Sequence, residues 1–275
     1  MQMVIDVDHP NGYPSDDPRH VHLSSLQIPP TYDAVLDYVA GLHARPPIIP
    51  PTNPPMTVIA PPPENGYDFI FHVGLAGRGP FRVERLAHKT GYRMKDSLNQ
   101  HAPIVEFLPE SNIIEPSQAE ILDQMRVSST SMAMTGPQSI DTTVDHPVRG
   151  FGKGYESYGD DLHTPIDVER LVHAMKEQGI EVGQLSSRPF SRPFFFLTWQ
   201  QLYSSMDAGH CVSDFTYYCS LVESRRATLR HDKAFHTKVL FMHCCPIGQP
   251  FGTEEVAETI QKIILWVCRN GPRFV

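Results

Sequence analysis

Apolar positions change their period along this chain, and each change predicts an element. Between Thr31 and Ala44 they recur at Tyr32, Val35, Leu36, Val39 and Leu42, a three-and-four spacing that puts one stripe on an amphipathic helix. Phe69–Val73 is instead a short continuous run, apolar and aromatic, as a strand covered on both faces would be. A second helix is predicted from Thr164, a good N-cap, with Pro165 at the first helical position, Asp167 two further on and Gly179 as its stop. Val239–Met242 predicts another buried strand, and Thr253–Arg269 a closing helix with Val256, Ile260, Ile263, Ile264 and Val267 inward. Strand and helix patterns alternate, so the chain reads as a layered α/β fold.

Three stretches break the rhythm. Arg45–Pro63 is too rich in proline to be helix or central strand. Pro109–Gly154 is mostly polar, with Ser and Thr runs, and predicts a long surface excursion. Arg188–Tyr203 (RPFSRPFFFLTWQQLY) holds Phe194, Phe195, Phe196, Leu197 and Trp199, too apolar for a solvated loop. It reads either as a lid over a site or as translated non-coding sequence, and both readings stay open.

Composition narrows the class of function. A chain of 275 residues without a Gly/Ser linker predicts a single domain over residues 1–275, and a net charge of −8 with no Lys/Arg cluster argues against nucleic acid or an anionic membrane as partner. The start, MQMVIDVDHPNG, has early acidic residues and no apolar signal core, and no run reaches membrane length, so a soluble, cytoplasmic protein is expected. Five cysteines, Cys211, Cys219, Cys244, Cys245 and Cys268, are a poor disulfide framework and suit a reducing compartment. His243-Cys244-Cys245 lacks a paired half-site and its neighbours point to opposite faces of a strand, so neither a metal nor another cofactor is expected.

The most informative segment is Met206–Leu221, MDAGHCVSDFTYYCSL. It resembles the D-A-G-R-Y-L-C-D-F-x-Y-Y-x-S-L helix segment of the pyroglutamyl-peptidase I family, with Asp207, Ala208, Gly209, Asp214, Phe215, Tyr217, Tyr218, Ser220 and Leu221 in register and Ser213 where the family has Cys. Phe69–Asp96 is similar to the family's V-I-H-V-G-x-A segment with its following E-R or E-K pair, Thr164–Lys176 to the segment before the nucleophile strand, and VLFMHCCPIGQPF to F-V-H-V-P-P-L-G-K-P-Y. The resemblance spans Leu23 to Val267 and implies a divergent member with a three-layer α/β/α sandwich, a mixed twisted sheet of the phosphorylase/hydrolase-like type. It further implies hydrolysis of the N-terminal pyroglutamyl residue from peptides, without a cofactor and with the oligomeric state open. On this reading Val182–Ser187 is the strand that feeds the nucleophile helix and Arg188–Tyr203 an insertion after it.

The implied chemistry needs a nucleophile, a base and dipoles for the oxyanion. By resemblance Glu84 orients, His243 is base then acid, position 213 attacks, and Val73, Gly74 and Leu75 line the substrate site. Each has a plain alternative: Glu84 beside Arg85 as a surface ion pair, His243 as a structural histidine. Ser213 is badly tuned for a site built around a thiolate, and the family's N-terminal G-F-G-P-F loop finds no match in the divergent residues 1–22, which predicts feeble or absent hydrolysis. Cys211 is two residues away, roughly 200° around a helix, and so is expected to face elsewhere. The competing readings are a non-catalytic protein that holds a peptide or protein partner in the same cleft, and a serine-type amidase.

Overall fold

A computed structural model describes residues 21–49, 62–77, 80–108, 146–185, 202–230, 236–248 and 251–270. Residues 1–20 of the divergent N-terminus, residues 50–61 of the proline-dense connection, residues 109–145 of the polar stretch and residues 188–201 of the apolar insertion lie outside them. At the centre is a four-stranded sheet in the order β1 (Phe69–Leu75), β8 (Lys238–Cys244), β2 (Phe81–Glu84), β7 (Leu202–Ser205). β1 runs parallel to β8, β8 antiparallel to β2, and β2 parallel to β7, so the sheet is mixed. Two small antiparallel ladders flank it, β3 (Leu86–His88) with β6 (Asp161–His163) and β4 (Ile104–Leu108) with β5 (His146–Arg149).

The run Val239–Met242 on β8 is buried on both sides, as its continuous apolarity predicts. Successive side chains alternate: Val239 and Phe241 join a core with α1 (Tyr32–Leu42) and α3 (Val212–Arg230), while Leu240 and Met242 join another with α2 (Val168–Leu185) and α4 (Thr253–Asn270). Helices therefore cover both faces of the sheet, the three-layer α/β/α arrangement that the sequence implied.

Local rules explain most boundaries. The side chain of Thr31 caps α1 by accepting the Ala34 N–H at 3.2 Å, and the predicted stripe of Tyr32, Val35, Val39 and Leu42 is buried. Fully burying each such side chain contributes about 1.5–3 kcal/mol, far more than the cap. Ile263, Ile264 and Val267 of α4 are likewise buried. α3 is buried on nearly every side, from Phe215 through Ser224, because it is wedged between α1 and the sheet.

Four expectations are corrected. The helix assigned to Thr164 starts at Val168: Thr164 Oγ1 donates to Val239 O at 2.6 Å and accepts from Ile166 N–H, and Asp167 Oδ1 instead receives the Arg170 N–H at 3.0 Å. Gly179 does not stop that helix, since one interior glycine costs only about 1 kcal/mol against the burial of Leu171, Val172 and Met175. Val182–Leu185 is consequently helix, and the strand that feeds α3 is β7, with Leu202 and Tyr203 in the sheet rather than in an added segment. The end of the polar stretch is also no excursion, for β5 pairs with β4 and Phe151 stacks on Phe215 at 4.0 Å, 2% exposed.

Candidate active site

Strand pairing brings the first two predicted residues together. In the antiparallel register of β2 with β8, Arg82 lies opposite His243 and Glu84 opposite Phe241, so Glu84 and His243 share the α3 face as diagonal neighbours. His243 Nδ1 is 2.7 Å from Glu84 Oε1, and the two side chains are 2% and 0% exposed. With Nδ1–H donating to the carboxylate, Nε2 is the ring nitrogen left for other chemistry. Arg82 Nε stands 3.7 Å from the same carboxylate oxygen, and Tyr217 donates its hydroxyl to Glu84 O at 3.0 Å, fixing the strand beneath. Burial disfavours the imidazolium, but hydrogen bonds with Cys211 and Glu84, and their charges, outweigh it and hold His243 up at about 9.

Cys211, which helps to hold His243 up, sits where the helical-spacing argument does not apply. Residue 211 is not within the helix: α3 begins at Val212, and the Cys211 carbonyl accepts the first intrahelical bond from Phe215 N–H at 2.9 Å. Immediately before it Gly209 and His210 have φ of 89° and 43°, left-handed backbone that turns the chain through an elbow, with Asp207 Oδ1 accepting the Gly209 N–H at 2.8 Å. The rule of 100° per residue does not extend across such a turn. Asp207 and Gly209, two residues apart as in an Asx turn, were the signal that could have shown this.

Ser213 occupies the first turn of α3 but a different place in the site. Its Oγ lies over Gly74, 3.0 Å from where a Cβ would stand there, while Phe241 Cζ would be 2.6 Å from that Cβ. Only glycine admits so close an approach of helix and sheet. Among the described residues Ser213 makes no hydrogen bond to His243. Gly74 is the register partner of His243, whereas Val73, paired with Met242, and Leu75 stand on the other face and are 43% and 66% exposed. Of the expected substrate segment, then, only the backbone and Gly74 look toward the imidazole.

A second polar cluster underlies α3. Asp214, buried in the helix's first turn, accepts His88 Nδ1–H at 2.9 Å and the His88 backbone N–H at 3.1 Å. Burial pushes the Asp214 carboxyl up although His88 pulls it back, and for His88 the bond to Asp214 wins over burial and raises it. The His210 ring lies 4.1 Å from that of His88, and ligand atoms of His88, His210 and Asp214 all fall within 4.8 Å of one another, so this is the group among the described residues that could share a cation. On the α1 side, the Ser220 hydroxyl lies 2.8 Å from Nε2 of both His43 and His72, and burial depresses these imidazoles to about 3 and about 4.

Neither a family model nor a curated protein matches the chain. Solved structures similar to it are pyrrolidone carboxyl and pyroglutamyl peptidases. A mutant pyrrolidone carboxyl peptidase from the hyperthermophile Pyrococcus furiosus is 17% identical, with 72% of this chain and 67% of that chain covered at a TM-score of 0.39. For pyroglutamyl peptidase I from Bacillus amyloliquefaciens the identity is 15%, the coverage 74% and 67%, and the TM-score 0.41.

Proposed function

We propose that this protein is an acyl-transfer hydrolase of the pyroglutamyl-peptidase I type, acting on the bond after an N-terminal pyroglutamyl residue. The buried Glu84–His243 pair at 2.7 Å carries the reading. Two ionisable groups are expensive to bury, and their pairing on the sheet face that α3 covers fits a site that moves a proton. Glu84 fixes the imidazole by taking the Nδ1–H, and Nε2 serves the attacking group and then the leaving amine. The motif around α3 supports the substrate class, with the lactam lying against the backbone of Val73–Leu75. Free thiols suit a reducing compartment, hence the cytoplasm, and among the described residues no helix is long and apolar enough to cross a membrane.

Release of p-nitroaniline from pyroglutamyl p-nitroanilide by the reduced protein tests this reading, with Glu84→Gln as the control for the site. Absence of turnover in the unaltered chain at high enzyme concentration would sink it. The position of Ser213, over Gly74 rather than on the imidazole, favours a second reading in which the cleft binds a pyroglutamyl peptide without cutting it. Saturable binding of such a peptide, recovered intact, would favour that alternative.

A further inference from the structure

The geometry points to a binding site for a divalent transition-metal ion of the zinc class at His88, His210 and Asp214, where β3, the elbow before α3 and the first turn of α3 meet. The set shares no residue with the Glu84–His243 pair, so it stands apart from the hydrolase reading. No short motif announces it, because positions 88, 210 and 214 are brought together only by the fold. One ligand atom from each of the three side chains lies within 4.8 Å of the other two. A tetrahedral zinc ion, with bonds of about 2.0–2.2 Å, sets its ligands roughly 3.3 Å apart, so the widest gap closes by about 1.5 Å at most.

Each ligand is aimed by a partner of its own. His88 Nδ1 and Asp214 Oδ2 are already 2.9 Å apart, and Asp214 Oδ1 is anchored by the His88 backbone N–H at 3.1 Å. The ion takes the place of the proton between the first pair, which solvent carries away or His88 Nε2 takes up. His210 Nδ1 stands 3.1 Å from Thr90 O, and since a carbonyl only accepts, Nδ1 carries the hydrogen and the neutral ring keeps its lone pair on Nε2. A bond of this kind fixes the tautomer and orientation of a metal-binding imidazole. The carboxylate does not explain why the ring is held here, for His210 Nδ1 is 4.0 Å from Asp214 Oδ2, beyond hydrogen-bond reach. Held it is: His210 has a left-handed φ of 43°, and a Cβ on Gly91 would stand 2.8 Å from its Nδ1, so only glycine leaves room for the ring.

The surroundings select the ion. Two imidazoles with one carboxylate suit zinc and its transition-metal neighbours, whereas magnesium and calcium take oxygen ligands. Asp214 is fully buried, and Tyr92 packs edge-on against the His210 ring at 6.1 Å, an aromatic wall that lowers the local dielectric and strengthens the pull of the carboxylate on a cation. The side chains of His88 and His210 are 16% and 21% exposed, so the ion has a way in and a water can complete the fourth position. An ion held there ties β3 to the start of α3, and because the unfolded chain has no such site, binding stabilises the fold.

Zinc titration of the full chain tests the site without any substrate. The reduced protein, stripped of metal by a chelator and desalted, is titrated with zinc chloride while the ring-nitrogen resonances of its histidines are followed by NMR. Those of His88 and His210 should shift together and saturate at one ion per chain, and those of His43, His72 and His243 should stay. In calorimetry His210→Asn, which keeps a residue tolerant of left-handed backbone, should weaken zinc binding about tenfold or more, and magnesium should bind neither protein. His88→Asn, shown to keep its circular dichroism, should weaken zinc binding likewise. No saturable binding, full affinity in His210→Asn, or binding that leaves the His88 and His210 rings unshifted would overturn the inference, the last by placing the ion on the thiols. The NMR result needs neither a variant nor turnover, so its failure is distinct from a failure of the hydrolase reading.

Discussion

The two faces of the central sheet are built from different materials. Under α2 and α4 the buried side chains are chiefly aliphatic, with Val83, Leu171, Met175, Leu240, Met242 and Ile263 at the centre. Under α1 and α3 the core is aromatic, with Tyr32, Tyr92, Phe151, Phe215, Tyr217 and Tyr218, and it encloses Glu84, Asp214, Ser220, His43 and His243. Aromatic residues tolerate that company because their hydroxyls and ring edges supply partners: Tyr217 reaches Glu84 O, Tyr218 reaches Gly159 O, and Tyr92 donates to His88 O. One face therefore anchors the sheet, and the other spends part of its packing quality to keep titratable groups in place.

The largest expected effect breaks the polar face alone. Glu84→Gln should lower kcat/KM for a pyroglutamyl amide by about 10³–10⁴-fold, because the imidazole loses its orienting carboxylate. In the same variant the His243 titration, followed by NMR, should fall from about 9 toward the ordinary range. An unchanged titration would mean that Cys211, not Glu84, supplies the charge.

Leu240→Ala attacks the aliphatic face from the same strand. It should cost about 2–5 kcal/mol in denaturant unfolding, since Leu240 is fully buried and the cavity has rigid walls, yet leave the His243 titration nearly where it was. A large shift of that titration would show that the faces are not separable.

The smallest effect is a pH signature. His43 and His72 are depressed in the fold to about 3 and about 4 while the unfolded chain titrates near 6.5, so the unfolded state binds the extra protons and stability falls as pH drops below about 6.5. His243 is raised to about 9, so its contribution is whole below about 6.5 and gone once pH has risen through about 9. Unfolding free energy should thus be domed against pH, with limbs of up to about 1.4 kcal/mol per pH unit for each proton involved. Glu84→Gln should flatten the alkaline limb and spare the acid one. Denaturant melts across this range check both limbs.

Elements whose signal is local were legible in the sequence. The α1 stripe, the apolar run of β8 and the inward set of α4 sit where period and burial put them. β7 was not, because LYSS has no alternation and becomes a strand only by pairing with β2. β5 was likewise lost in a polar context, and helix continuity through Gly179 was decided by packing that propensity does not record. In the site, the motif located Glu84 and His243, whose contact depends on strand register. It placed residue 213 by spacing, and the helical angle used for residue 211 does not apply there, because the chain is not yet helical at 211.

The left-handed elbow at Gly209 and His210 therefore has a design consequence. It uncouples the angular phase of α3 from the residue that precedes it, so the helix can keep its grip on the sheet through Gly74 while the position just upstream is aimed independently. The direction in which residue 211 leaves the chain is thus set by the turn and not by the helix, so a substitution at Gly209 would re-aim it without disturbing the seat of α3 on the sheet.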